Sequence, residues 1–93
     1  MSLVHKLLYT DEALKQIKKL NEKLKAQVRL ALEEIAKEPS LGKPLTRELR
    51  GRFSYRVADY RIIYKVYRLE VLVLILTVGH RREVYKKIGK KDW

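Results

Sequence analysis

The stretch from Val71 to Val78 restricts the fold more than any other, because it is apolar on both faces of the strand that it would form. A strand of this kind needs cover on each side and belongs inside a sheet. The chain has 93 residues, enough for one domain with one modest core. We therefore expect residues 1–93 to form a single domain built around this strand.

The first part of the chain predicts a short strand followed by two helices. Residues Val4 to Tyr9 alternate in the manner of a strand. Thr10 can cap the first helix, and Asn21 can cap the second. Apolar residues of the second helix recur at spacings of three and four, and Pro39 and Gly42 end it. The two helices should form a hairpin whose apolar stripes face a sheet.

After Pro44 the apolar pattern changes to a period of two, which is typical of strands. Tyr60–Tyr67 is the clearest example, and Arg68–Glu70 predicts a tight connection to the apolar strand. Leu45–Arg50 and Phe53–Val57 are two further predicted strands, interrupted near Gly51. The second half should therefore be a run of sequential strands.

A final helical segment is expected from Glu83 to Ile88, ended by Gly89. The order of elements is a strand, two helices and then several strands. This order predicts an α+β domain with a small antiparallel sheet of about four strands. The N-terminal helical hairpin should pack on one face of the sheet.

Positive charge is concentrated in the second half of the chain. The net charge is +11, of which residues 1–46 contribute +3 and residues 47–93 contribute +8. Eight of the nine arginines lie in the second half, and only Arg29 precedes them. The planar guanidinium group of arginine donates paired hydrogen bonds to phosphate, so the sequence predicts a polyanionic partner. A generic soluble surface, or the charged surface of a heat-adapted protein, is the alternative.

Several classes of protein are excluded by what the sequence lacks. There is no cysteine, which rules out a disulfide framework and a thiolate metal site. No apolar run reaches the roughly 18 residues of a membrane span, and no N-terminal apolar stretch of signal-peptide type appears. A cytoplasmic protein without a membrane partner is expected.

Conventional catalytic motifs are also missing. His5 and His80 lie far apart without a carboxylate cluster, so we expect no metal and no cofactor. Asp59 and Glu83 are the only acids within the arginine-rich motifs, and each is more simply a turn residue or an arginine partner. No glycine-rich phosphate loop and no serine in a nucleophile elbow occur.

Arginine, lysine, tyrosine and one histidine remain, and such a set can cut RNA because RNA carries its own nucleophile. The 2′-hydroxyl attacks the adjacent phosphorus, and preorganised arginine donors stabilise the charge that develops. Tyr85 follows Arg81 and Arg82 closely, and neighbouring cations favour the ionised form of a tyrosine. Simpler interpretations stay open: Arg61 could pair with Asp59 or Glu48. Solvated or packing roles are the alternatives for Arg81, Arg82, Tyr85 and His80.

Three segments of the sequence resemble the RelE/ParE toxin superfamily, with the RelE branch the closer fit. They are Leu49–Gly51, Tyr55–Tyr64 and Val78–Tyr85. The resemblance implies a small antiparallel sheet with two N-terminal helices on one face. It also implies a type II toxin that cleaves mRNA in the A site of a 70S-type ribosome and is neutralised by a RelB-like antitoxin.

The resemblance further implies roles for individual residues. Arg61 and Arg81 would contact the scissile phosphate, and Tyr85 would act as the general base or orient the 2′-hydroxyl. Arg56 would hold the RNA backbone or assist proton transfer, and Arg50 would bind RNA.

Two positions depart from the family pattern. Ser54 replaces a lysine, for which Arg52 is the nearest substitute, and the spacing from Arg81 to Tyr85 is two residues shorter. The shorter spacing leaves Arg82 as an alternative working arginine and gives His80 a possible part in substrate binding or proton transfer. A ParE-like inhibitor of DNA gyrase and a non-catalytic basic RNA-binding domain are the competing functions.

Overall fold

A computed structural model describes residues 3–88, without the side chains of Glu48 and of residues 85–88. The end of the last helix at Gly89 therefore lies outside the described residues.

The N-terminal strand and helical hairpin form as predicted. Strand β1 is Lys6–Tyr9, helix α1 is Asp11–Lys18 and helix α2 is Glu22–Lys37. Both helices begin at the predicted caps: the Thr10 hydroxyl accepts a hydrogen bond from the backbone of α1, and the Asn21 side chain does the same for α2. Each bond satisfies a backbone N–H that the first turn of a helix leaves unpaired.

The rest of the chain forms strands β2 (Lys43–Pro44), β3 (Arg52–Val57), β4 (Tyr60–Tyr67) and β5 (Leu72–His80), followed by helix α3 (Arg81–Ile88). The α+β class is confirmed, with five strands in the order β1-β5-β4-β3-β2. One pairing differs from the antiparallel expectation, because β1 runs parallel to β5. Alternation of side chains reports that a strand exists but does not report the direction of its neighbour.

The strand predicted at Leu45–Arg50 is wrong. Arg47–Leu49 forms a 3₁₀ turn instead, and Arg47 adopts a positive φ of 58° that interrupts any strand. Leu45 and Leu49 both pack against the same apolar cluster of the sheet. Leucines four apart would share one side in a strand as well, so the apolar pattern could not distinguish a strand from this turn.

Strand β5 is covered on both faces, as its apolar sequence predicted. On one face Val73, Ile75 and Val78 pack with the helical hairpin in the larger core. On the other face Leu74 and Leu76 join a smaller cluster that includes Val84 of α3. β5 lies between β1 and β4, so it is an interior strand with two separate apolar layers.

The loop that leads into β2 is held by one buried tyrosine. The Tyr64 hydroxyl accepts a hydrogen bond from the Gly42 N–H at 2.9 Å and donates one to the Pro39 carbonyl at 2.7 Å. Its ring stacks on Phe53 with the centroids 5.4 Å apart. Burial is the main cause that raises the pKa of Tyr64 to about 12, so the hydroxyl keeps its proton.

Candidate active site

Three of the six predicted site arginines, Arg52, Arg56 and Arg61, lie on the sheet face opposite the helical hairpin. Register pairs Arg56 with Arg61 and Arg61 with Gly79, so the three residues form one row across β3, β4 and β5. Ile63 lies two residues from Arg61 on the same strand and packs in the smaller cluster, which identifies the face. We call this side of the sheet the basic face. Its strand cations are Lys43, Arg52, Arg56, Arg61 and Lys65.

Arg61 carries a donor that the protein itself does not use. Its side chain is half-buried, and its Nε is buried without a hydrogen-bond partner. An unsatisfied buried donor costs about 1–3 kcal/mol, and more when the group is charged. In a native protein such a donor needs an explanation, and an acceptor supplied by water, an ion or a ligand is one. The unpaired donor is therefore the strongest local sign of a binding site.

Arg56 and Arg61 stand directly opposite each other on neighbouring strands, a placement that is destabilising for like charges. The Arg56 Nε donates to the Ala58 carbonyl at 3.0 Å, which holds its exposed side chain against the β3–β4 turn. Within residues 3–88, no described carboxylate pairs with either arginine, so the suggested Arg61–Asp59 ion pair does not form. An anion bound between the two guanidinium groups would relieve their repulsion.

Helix α3 brings Arg81, Arg82 and Tyr85 to the same region. Its first residue, Arg81, donates its backbone N–H to the Asp59 carbonyl at 3.0 Å, which ties the helix to the β3–β4 turn. The side chains of Arg81 and Arg82 are exposed at the start of the helix. Tyr85 lies on α3 directly after Val84, and its side chain lies outside the described residues.

Close packing of α3 on the sheet depends on Gly79. A Cβ added at Gly79 would lie only 2.7 Å from the Cγ2 of Val84. Val84 is 1% exposed and anchors the helix in the smaller cluster. Since Gly79 is also the strand partner of Arg61, the glycine sets the distance between α3 and the arginine row.

His80 projects toward the other side of the sheet. Its ring makes an edge contact with Tyr60, with centroids 5.9 Å apart, and Tyr60 packs against the core under the helical hairpin. His80 and Arg61 therefore leave the sheet from opposite faces. Direct proton transfer by His80 at a phosphate held on Arg61 is not favoured by this placement.

The positions that depart from the family pattern lie further along the basic face. Ser54 is buried, and its strand partner is the exposed Lys43. Arg52 stands opposite Lys65 in the next row. Arg50 is exposed between the 3₁₀ turn and β3.

Two cations of the basic face, Lys65 and Lys43, are not among the site residues predicted from the sequence. Lys65 lies four residues after Arg61, and the period of two was sufficient to place it on the same side. Its Nζ lies 5.2 Å from the centre of the Tyr67 ring, a cation–π contact. Lys43 gave no comparable signal, because β2 has only two residues.

Within the part of the chain that the structure describes, no group of three or more His, Cys, Asp or Glu side chains could hold a metal ion. None of the helices in that part has the length and apolar character needed to cross a membrane.

Comparison with known proteins assigns the chain to a family. The family described as "ParE toxin of type II toxin-antitoxin system, parDE" matches residues 7–85. The chain is 38% identical over 81 residues to Toxin RelG of Mycobacterium tuberculosis, covering 85% of this chain and 93% of that protein. It is 29% identical over 90 residues to the mRNA interferase toxin RelE of Escherichia coli, covering 89% and 92%.

A solved structure agrees with the sequence comparisons. The toxin–antitoxin complex RelBE2 of Mycobacterium tuberculosis matches with a TM-score of 0.78 and 35% identity, over 87% of this chain and 95% of the matched chain. The family match, the relatives and the fold all agree: the chain belongs to the RelE/ParE superfamily and is a RelE-family toxin of a type II toxin–antitoxin system.

Proposed function

We propose that this toxin is an endoribonuclease that cleaves mRNA in the ribosomal A site and so inhibits translation. The observation that carries the proposal is the unpaired, buried Nε of Arg61 on a face rich in cations. A phosphate is the ligand that best fits such a donor beside a second arginine. The name of the related E. coli protein, an mRNA interferase toxin, supports the same activity.

The proposed reaction uses the 2′-hydroxyl of the RNA as nucleophile. Its oxygen gives up a proton and attacks the adjacent phosphorus, the bond to the 5′-oxygen breaks, and that oxygen takes up a proton, so that a 2′,3′-cyclic phosphate and a 5′-hydroxyl result. Arg61 and Arg81 stabilise the negative charge of the phosphorane, because their donors are in place before that charge develops. Tyr85 takes or orients the proton of the 2′-hydroxyl, which is a task of general base catalysis.

The other cations bind the substrate in this scheme. Arg56 is held against the β3–β4 turn and grips the phosphate backbone beside Arg61, or assists the proton transfer. Arg50, Arg52 and Arg82 add electrostatic attraction for the RNA, which weakens as salt rises.

Two macromolecular partners follow from the proposal. The ribosome presents the mRNA, so the protein acts in the cytoplasm. A RelB-like antitoxin neutralises the toxin, as the RelBE2 complex of the M. tuberculosis relative suggests. An acidic amphipathic segment suits the cations and interleaved apolar residues of the basic face.

Primer extension on an mRNA translated in vitro tests the activity, with the wild-type toxin and Arg61→Gln compared. The wild type should cut within codons only when ribosomes are present. Arg61→Gln keeps hydrogen-bond donors but removes the charge, and should lose about 10²–10³-fold in cleavage rate. Intact message would contradict the proposal.

Gyrase inhibition is the second candidate, since the matched family is described by the name of the ParE toxin. A DNA supercoiling assay with purified gyrase distinguishes the two functions. Inhibited supercoiling together with uncut message would favour a ParE-like activity. A protein that only binds gyrase would not need the constellation of Arg61, Arg81 and Tyr85, which is why the nuclease is preferred.

A further inference from the structure

Strand β5 contains a β-bulge before it reaches the arginine row. Ile63 of β4 pairs with Thr77. Its neighbour Tyr64 pairs with Ile75, so Leu76 is one residue more than the ladder needs. A bulge disrupts the ladder locally and bends its strand, and bulges are frequent beside active sites, where they re-aim a side chain. This bulge lies directly before the part of β5 that leads into α3.

The neighbour of β5 on its other edge ends at the same level. The pairing with β1 stops at Ile75, whereas β5 continues to His80. Backbone groups on a strand edge cost free energy when they are buried without hydrogen bonds. Thr77 is 0% exposed and Val78 is 1% exposed, so their polar groups cannot turn to water. The end of β5 therefore needs partners from another element.

Helix α1 supplies these partners through the side chain of Gln16. Its Oε1 accepts hydrogen bonds from the Val78 N–H at 2.7 Å and from the Thr77 hydroxyl at 3.0 Å. A backbone N–H can only donate, so a flipped amide would place two donors against each other, and the orientation of the amide is fixed. One side-chain oxygen thus takes the place of the backbone acceptor that a longer β1 would provide.

Helix α1 is itself held firmly against β5. The Thr10 hydroxyl, at its N-terminus, donates to the carbonyl of the bulge residue Leu76 at 2.7 Å. Ala13 is 0% exposed and packs in the larger core. A hydrogen-bonding group on a packed helix holds its partners more precisely than one on a loop. Gln16 can therefore fix the position of the strand to which it binds.

The residues that follow the bulge form part of the candidate active site. Gly79 pairs with Arg61 in the arginine row, and Arg81 begins α3 directly after the strand. A slip of β5 that removed the bulge would place Val78 opposite Arg61 and turn the side chains that follow to the other face of the sheet. The hydrogen bonds of Gln16 lie where they oppose such a slip.

We propose that Gln16 is a positioning residue of the nuclease, which holds the bulged end of β5 and so fixes Gly79 opposite Arg61 and Arg81 at the start of α3. The proposal rests on the nuclease function proposed above. Gln16 acts through the backbone of β5 and needs no contact with the RNA. Its essential property is the acceptor at Oε1, which a carboxylate also has and an aliphatic side chain lacks.

Gln16→Leu and Gln16→Glu test the acceptor in a cleavage assay on mRNA-programmed ribosomes at increasing toxin concentration. Leucine has a helix propensity close to that of glutamine but no acceptor. The rate at saturating toxin should fall about tenfold or more in Gln16→Leu, because the arginines are misplaced. The toxin concentration for half-maximal rate should stay unchanged, since every cation that binds the RNA is present. Gln16→Glu should retain most of the wild-type rate.

Val28→Ala is the control for a general loss of stability. Val28 of α2 is 0% exposed in the larger core, so its truncation destabilises the fold without removing a hydrogen bond of β5. All variants are compared where urea denaturation shows them to be fully folded. Val28→Ala should then cleave at the wild-type rate. An equal rate in Gln16→Leu, or equal losses in Gln16→Leu and Gln16→Glu, would overturn the proposal.

Amide hydrogen exchange, followed by NMR on the toxin alone, separates the positioning role from the nuclease function. In Gln16→Leu the Val78 N–H should exchange about tenfold faster or more, because it loses its acceptor. The Arg81 N–H should also exchange faster, since its bond to the Asp59 carbonyl lies further along the same segment. Gln16→Glu should keep the wild-type protection at both positions.

The two amides decide between positioning and simple attachment. Faster exchange at both Val78 and Arg81 supports the positioning of α3 by Gln16 even if no mRNA is cut. Faster exchange at Val78 with unchanged exchange at Arg81 would mean that Gln16 only attaches α1 to β5. That result would overturn the proposal even if the wild type cleaves mRNA.

Discussion

Replacing Gly79 with alanine should slow mRNA cleavage without substituting any of the arginines or the tyrosine proposed for catalysis. The new Cβ would lie 2.7 Å from the Val84 Cγ2, whereas carbon atoms pack at about 3.5–4.0 Å. Val84 is a buried, β-branched helix residue with one strongly preferred rotamer, so it cannot turn away. Helix α3 must therefore move by about 1 Å.

The movement of α3 sets the size of the effect. The helix carries Arg81 and Tyr85, whereas Arg61 stays on the sheet. A misplacement of about 1 Å can cost about 10²-fold in rate, so mRNA cleavage should fall by about that factor. Overpacking should lower the free energy of unfolding by about 1–3 kcal/mol. The φ of Gly79 is not positive, so alanine adds no backbone strain.

The double variant Gly79→Ala with Val84→Ala tests the cause. Removing both Cγ atoms of Val84 eliminates the collision. Alone, Val84→Ala should cost about 2 kcal/mol through the loss of buried methyl groups. The double variant should be destabilised by at least about 1 kcal/mol less than the sum of the destabilisations of the two single variants, because the two residues are in contact.

Urea denaturation and ribosome-dependent primer extension measure these quantities on the same preparations. The double variant should regain part of the cleavage lost in Gly79→Ala. Full activity of Gly79→Ala, or strictly additive stabilities, would refute the idea that Gly79 sets the position of α3.

The remaining predictions concern single side chains. Tyr64→Phe should lower the free energy of unfolding, measured by urea denaturation, by about 2–4 kcal/mol, because it removes two hydrogen bonds and leaves the buried Gly42 N–H unpaired. Tyr67→Phe is the control. Equal losses in the two variants would contradict the stabilising role of the Tyr64 hydroxyl. The pKa of Tyr64 is raised from 10.0 to about 12 in the folded state. The contribution of this group to stability is therefore present below pH 10 and lost between pH 10 and 12. The decline in the free energy of unfolding at alkaline pH should be smaller in Tyr64→Phe than in the wild type. Arg81→Ala should abolish mRNA cleavage while the circular dichroism spectrum stays unchanged. Retained cleavage would indicate that Arg82 performs the role proposed for Arg81. Tyr85→Phe tests the hydroxyl alone in the same cleavage assay, and an unchanged rate would remove it from proton transfer.

Much of the fold could be predicted from the sequence because interactions between residues close together in the chain determine it. Thr10 and Asn21 cap their helices with bonds that span three residues. The apolar stretch of β5 needed cover on both faces wherever the chain placed it. The 3₁₀ turn at Arg47–Leu49 could not be predicted from the sequence, because the positions of Leu45 and Leu49 depend on their packing against a cluster formed by distant residues.

The candidate site was only partly predictable for the same reason. Arg56 and Arg61 lie on two strands joined by a tight turn, and their opposition follows from that short connection. The opposite orientation of His80 depends on its place in the register of β4 and β5. The family resemblance named Arg81 and Tyr85, but their distance from the sheet depends on a contact between Gly79 and Val84.

By itself, the sequence determined where helices α1, α2 and α3 and strands β1, β3, β4 and β5 form and that the second half carries most of the positive charge, because capping, side-chain alternation and charge are properties of residues near each other in the chain. Only the tertiary structure decided that β1 runs parallel to β5 and that the Arg61 Nε is left without a partner. It also decided that Gln16 meets Val78, 62 residues away in the chain. Contacts of this kind depend on how sheet and helices pack, since a hydrogen bond forms wherever packing brings a donor and an acceptor together.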